Sequence, residues 1–113
     1  MDKILSTNGS CKVVVATHEH VERIYPYMRK EDQIEIACMG HEPRQALLSG
    51  LESDDVTLTA LDADDVPFAM FGVGQIENQA YIWCLGTDGV SDNAYDFLKA
   101  SREWTQRLTK PYG

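Results

Sequence analysis

The sequence predicts an α+β fold, an antiparallel meander sheet with flanking helices, and three observations predict it. β-Branched residues crowd the short run Lys12-Val13-Val14-Val15-Ala16, as buried strands require. Between residues 56 and 86 the apolar pattern changes to strand-like runs separated by polar turns, the signature of a meander. On either side of that region, apolar positions recur at spacings of three and four, the period of a helix packed on one face.

In chain order, residues 1–11 carry Ser, Thr, Asn and Gly with little periodicity and read as a flexible leader, leaving 12–113 as one domain. After the first strand, Thr17 can cap a helix in which Val21, Ile24, Tyr25 and Met28 share a face and which Pro26 bends or ends. Arg29 to Asp32 is a charged corner. Ile34, Ile36 and Cys38 alternate weakly and fit either a short helix or an irregular crossing. Gly40 breaks the chain, Pro43 suits a first helical turn, and Ala46, Leu47 and Leu51 line a helix ending around Gly50.

Val56, Leu58 and Ala60 then alternate in a strand, and Asp62-Ala63-Asp64-Asp65 makes a hairpin turn. Pro67 to Gly74 is apolar on both faces, as a central strand is, and the polar turn Glu77-Asn78-Gln79 leads into a strand over Ala80 to Gly86. Ser91 or Asp92 can cap a longer helix with Ala94, Phe97, Leu98, Ser101, Trp104, Thr105 and Leu108 on one side, stopped by Lys110-Pro111-Tyr112-Gly113.

Composition narrows the classes of function. A chain of 113 residues can bury roughly two thirds of its unfolded surface, enough for one core. Hydrophobic residues at 43% and charged residues at 25% are those of a globular protein. The net charge of −8, from 18 acidic against 10 basic side chains, opposes direct contact with nucleic acid or an anionic membrane and suits a basic protein partner. Cys11, Cys38 and Cys84 stand far apart with no secretory signal before them, as in a reducing cytoplasm. Cys84, within Tyr81-Ile82-Trp83-Cys84-Leu85, reads as a small buried hydrophobe. No run approaches the roughly 20 apolar residues of a membrane span.

The wording of several segments goes further. Met28-Arg29, Asp32, Glu35-Ile36, Gly40 and Pro43-Arg44-Gln45-Ala46-Leu47, then Pro67-Phe68-Ala69-Met70-Phe71-Gly72-Val73, Trp83-Cys84-Leu85-Gly86-Thr87-Asp88, and Phe97-Leu98, Ser101-Arg102 and Trp104 resemble a family of GNAT-like tailed-phage and prophage proteins. That family includes the internal virion (core assembly) proteins of short-tailed phages, and the resemblance covers roughly Val13 to Gly113. It implies the N-terminal part of the GNAT acetyltransferase fold, truncated before the fifth strand of that fold. Because the cofactor of GNAT enzymes lies between the fourth and fifth strands, the resemblance implies one wall of a cofactor site only.

Acetyl-CoA sites of that superfamily hold the pyrophosphate on backbone N–H groups of a Gln/Arg-x-x-Gly-x-Gly/Ala loop at a helix N-terminus. The corresponding residues here are Gly86, Thr87, Asp88 and Gly89, followed by Val90, Ser91 and Asp92. If acetyl-CoA binds, those first four are the cofactor-binding residues. Their glycine spacing differs, no Arg or Lys is present, and two carboxylates would repel phosphate, so they read as an ordinary strand-to-helix turn ahead of a phosphate cradle.

No side chain is assigned a catalytic role, and no metal site is expected. His18-Glu19-His20 invites a zinc reading, but residues two apart on a helix point in different directions, and His41 stands alone. The Asp62, Asp64, Asp65 cluster lacks the spaced ligands and distal Glu of a calcium loop. Tyr25, Tyr27, Phe68, Phe71, Trp83 and Trp104 read as core residues, with Tyr81 and Tyr95 left open.

The first functional expectation is a non-enzymatic phage or prophage protein working by protein–protein contact in virion or internal-core assembly, through an unpaired strand near Ala80 to Gly86. It would have a phage or host protein partner, self-association among its options, and a place in the host cytoplasm or the virion. A second is an acetyl-CoA-dependent N-acetyltransferase completed by a partner or a further C-terminal segment. A third is an acidic inhibitor of a host defence or transcription protein.

Overall fold

Two apolar clusters on opposite faces of one sheet organise the chain, and their residues explain where each element lies. The computed structural model describes residues 3–53, 56–76 and 79–110. Strands β1 (Ile4–Asn8), β2 (Cys11–Val15), β3 (Val56–Leu61), β4 (Pro67–Ile76) and β5 (Gln79–Gly86) pair antiparallel in the order β1-β2-β3-β4-β5. Helices α1 (His18–Ile24), α2 (Lys30–Cys38) and α3 (Pro43–Ser53) connect β2 to β3, while α4 (Gly89–Asp92) and α5 (Ala94–Thr109) follow β5.

On one face Val21, Ile24, Met28, Ile36 and Leu47 enclose Met70, with Trp83 and Leu85 of β5 at the margin. On the other, Phe97 and Ala100 of α5 cover Cys11, Val13, Leu58, Ala60, Phe68 and Phe71. Phe97 meets Phe68 and Phe71 edge-on at centroid distances of 5.4 and 6.1 Å, a geometry that aromatic quadrupoles favour. Because helices cover both faces, every residue of β3 from Thr57 to Leu61 is buried, not alternate ones. β4 is paired on both sides, as its two apolar faces imply, and its register with β5 runs from Ala69 opposite Gly86 to Ile76 opposite Gln79.

Local chemistry sets the element ends. The Thr17 hydroxyl accepts from the His20 N–H at 3.3 Å, and His20 Nδ1 accepts from the Thr17 N–H at 3.1 Å, so an imidazole closes a capping box usually closed by Glu. Pro26, with no N–H to give, falls in a 3₁₀ turn at Tyr25–Tyr27. The segment around Ile34, Ile36 and Cys38 is helical and buries Ile36, while Ile34 and Cys38 face outward. At the hairpin turn Asp62 Oδ1 accepts from the Asp64 and Val66 N–H groups at 2.8 and 3.0 Å, and Asp65, at φ 62°, pairs with Lys12.

Several expectations need correction. Residues 4–8, placed in a flexible leader, form β1, and Cys11 opens β2. The sheet therefore has five strands where four were expected, the additional one at the front. β1 was illegible because α5 side chains hold it, not apolar periodicity: Trp104 Nε1 donates to Ser6 Oγ at 2.8 Å, and Asn8 Nδ2 donates to Glu103 at 3.4 Å. α3 runs through Gly50, since that glycine lies under the Trp83 indole, where a Cβ would sit 2.5 Å from a ring carbon. α5 begins after Asn93 with no side-chain cap, and its inner stripe is Phe97, Ala100, Trp104 and Leu108, leaving Leu98 51% exposed. Tyr27, read as core, is 73% exposed. Glu77, Asn78 and residues 111–113, assigned to a turn and a helix stop, lie outside the described residues, as does the Tyr81 side chain.

The β1–β2 turn is fastened to α5. Gly9 takes φ +58°, and Ser10 donates from both its N–H and its hydroxyl to Asp96 Oδ2 at 3.0 Å. A Cβ at Gly9 would lie 2.5 Å from that carboxylate. Gly9→Ala should thus cost roughly 1–3 kcal/mol in a urea melt through left-handed strain and displacement of Asp96. The two Ser10 bonds hold the Asp96 carboxyl below its ordinary range. A depressed acid contributes stability above its unfolded value, about 3.9, and loses it as pH falls through the folded value. Thermal melts of wild type and Asp96→Asn should accordingly converge as the pH is lowered below about 4.

Candidate functional site

The segment expected to meet a cofactor begins where β5 ends, and its geometry is fixed from the other half of the chain. Asp32, in the first turn of α2 and 6% exposed, accepts from Arg29 Nε at 2.9 Å and Arg29 Nη2 at 2.8 Å, and from the Gly86 N–H at 3.0 Å. The Arg29 N–H donates to the Gly86 carbonyl at 2.8 Å, and Met28 forms a bridge with Thr87. Gln33 Nε2 donates to the Met28 carbonyl at 2.6 Å and holds that approach in place. One buried carboxylate therefore ties the end of the sheet to the helix it packs beside. Burial alone would lower the Arg29 pKa, but the hydrogen bond and charge of Asp32 outweigh it and the net direction is upward.

Most amides of the candidate loop are engaged inside the chain. Gly86 donates to Asp32, Thr87 to the Phe68 carbonyl at 2.8 Å, and Gly89 to the Thr87 hydroxyl at 3.0 Å. Val90 donates to the Thr87 carbonyl, Ser91 and Asp92 to the Asp88 carbonyl. Its two glycines are accounted for by close packing. A Cβ at Gly86 would fall 2.7 Å from Val90 Cγ2 and 2.8 Å from the Phe68 carbonyl, and one at Gly89 would fall 2.6 Å from Phe68 Cβ. Asp88 and Asp92 are exposed beside them. Coenzyme pyrophosphate would have to displace these bonds and approach two carboxylates.

The other singled-out residues do not converge. His18 is exposed, 3.7 Å from Glu52, whereas His20 is buried and turned back onto its own helix start. Among the described residues no three His, Cys, Asp or Glu side chains gather as a metal would need. Burial first, with Asp96 adding to it, pushes the Cys11 thiol up to about 11. Burial likewise pushes Cys84 up to about 11, Arg29 opposing and Asp32 adding. Both thiols are protonated at neutral pH and are poor nucleophiles. Among the described residues no helix is long and apolar enough to cross a membrane.

What remains chemically open is the outer edge of β5. In an antiparallel pair alternate residues direct both backbone groups toward the neighbour. Thr87 donates to β4, and Gly86 directs its N–H and carbonyl away from β4, toward Asp32 and Arg29. By that alternation Ala80, Ile82 and Cys84 also direct theirs outward. Among the described residues no strand pairs with Ala80, Ile82 and Cys84 on that side, and Ile82 is 44% exposed there. The part played by Arg29 and Asp32 escaped the sequence reading, which saw a charged corner. The available signal was their spacing of three, which suits an ion pair across a helix start.

Compared with protein-family models, with curated proteins and with solved structures, the chain matches none.

Removing the Asp32 carboxylate leaves a half-buried guanidinium and a buried amide without their acceptor. Asp32→Ala should lower stability by roughly 2 kcal/mol in a denaturant melt. Asp32→Asn, which keeps an acceptor for Gly86, should lose distinctly less.

Proposed function

We propose that this chain acts through protein–protein contact and not by catalysis, as a GNAT-like phage or prophage protein contributing to assembly of the virion or its internal core. The observation that carries the reading is a pairing of two features at β5. The loop that would hold a cofactor has most of its amides bonded within the chain, while the border of the strand leading into it presents backbone groups that no described residue pairs. A bare strand border offers a partner a row of directional donors and acceptors, the requirement for strand addition.

The phage assignment rests on the resemblance of the segments around Arg29, Pro43, Phe68, Trp83 and Phe97. The strand order supports it as far as a meander with flanking helices goes. A charge of −8 supports a protein partner over nucleic acid and is compatible with a host cytoplasm. An acetyltransferase built on the same scaffold would need the Gly86–Asp92 amides released and its charge reversed.

Isothermal titration with acetyl-CoA should give no binding in the micromolar range, and affinity purification from infected cells should recover a phage or host protein. Micromolar acetyl-CoA affinity or acetyl transfer by the purified chain overturns the proposal.

A further inference from the structure

Resting on the protein-contact reading, we propose that the occupant of the β5 border is a second copy of this chain, joined by a two-fold antiparallel β5–β5 pairing centred on Ile82. The charge distribution favours this occupant. The molecule carries −8 overall, yet no charged residue lies between Gln79 and Gly86, so two copies meet there without opposed charges in the strands themselves. Protected borders carry Lys, Pro or a bulge, and β5 has no Lys or Pro in its eight residues and no shift of register against β4. β1 at the opposite border is only five residues long and bulged between Ile4 and Ser6.

The fold also selects the register. Ala80, Ile82 and Cys84 direct their backbone groups outward, but Gly86 is closed by Asp32 and the Arg29 N–H. Pairing centred on Cys84 would set Ile82 against the closed Gly86. Pairing centred on Tyr81 would set Cys84 against residue 78, beyond the strand. Centring on Ile82 sets Ala80 opposite the partner's Cys84 and Ile82 opposite the partner's Ile82, so every open residue is used and the closed one avoided. Each such pair exchanges two hydrogen bonds, and the exposed Ile82 side chains meet across the axis. A two-fold contact of this kind is self-complementary.

The test is sedimentation equilibrium of the full chain across a concentration series, with amide hydrogen exchange at both ends of the series. A dimer is expected, with the Ile82 and Cys84 amides slowing at least tenfold at high concentration. Ile82→Pro removes an outward N–H without touching the β4 ladder and should give a monomer with unchanged helix content. Ile82→Lys, which keeps the N–H but places like charges across the axis, should weaken the dimer at least tenfold. Leu98→Lys, on the outer side of α5, should leave it unchanged. A monomer at every concentration overturns the pairing and leaves the protein-contact reading standing. So does a dimer indifferent to Ile82→Pro, or one whose Ile82 and Cys84 amides stay unprotected. Acetyl-CoA binding strikes the underlying reading instead.

Discussion

The bonds that Asp32 accepts from Arg29 and Gly86 are the constraint on which the rest of the functional surface depends. They join the helical segment between β2 and β3 to the end of the meander, two regions 54 residues apart in sequence. A carboxylate so buried would be unfavourable alone; with the half-buried guanidinium and the amide as partners it forms a satisfied node. With that node in place, the N–H and the carbonyl of Gly86 both already have partners within the chain. The node both closes the loop beyond β5 and sets the length of border available before it.

Much of the architecture was legible in the sequence where one residue's chemistry decides one feature. Thr17 before an apolar period, Pro26 interrupting it, the acidic turn at Asp62 to Asp65 and the two-faced apolar run from Phe68 to Val73 each narrow the local structure sharply. What stayed hidden depends on partners distant in sequence. β1 has little apolar content, and Ser6, Asn8 and Ser10 become strand and turn residues because Trp104, Glu103 and Asp96 on α5 receive or make their hydrogen bonds. The inner stripe of α5 is rotated away from Leu98 for a similar reason. Phe97 and Ala100 follow the surface presented by Phe68 and Phe71, which helical spacing alone does not specify.

The candidate loop was half legible. Two glycines in an altered spacing and two carboxylates already spoke against an anion cradle, but the reason for the glycines was not readable. Gly86 and Gly89 are small because Val90 and Phe68 press against them, a packing demand invisible without the third dimension. The role of Arg29 and Asp32 was hidden for the opposite reason. Their residue types are ordinary at a helix start, and only burial distinguishes a structural ion pair from a solvated one.

The irregularity in β1 bears on how far any edgewise growth can proceed. A sheet with two receptive rims polymerises, each addition exposing a fresh rim for the next. Here the rim formed by Ile4 to Asn8 is short, interrupted, and drawn toward α5 through Ser6 and Asn8, which leaves one receptive rim among the described residues. Joining two such rims consumes both, so association by this route halts at a discrete particle and does not run on into a fibre.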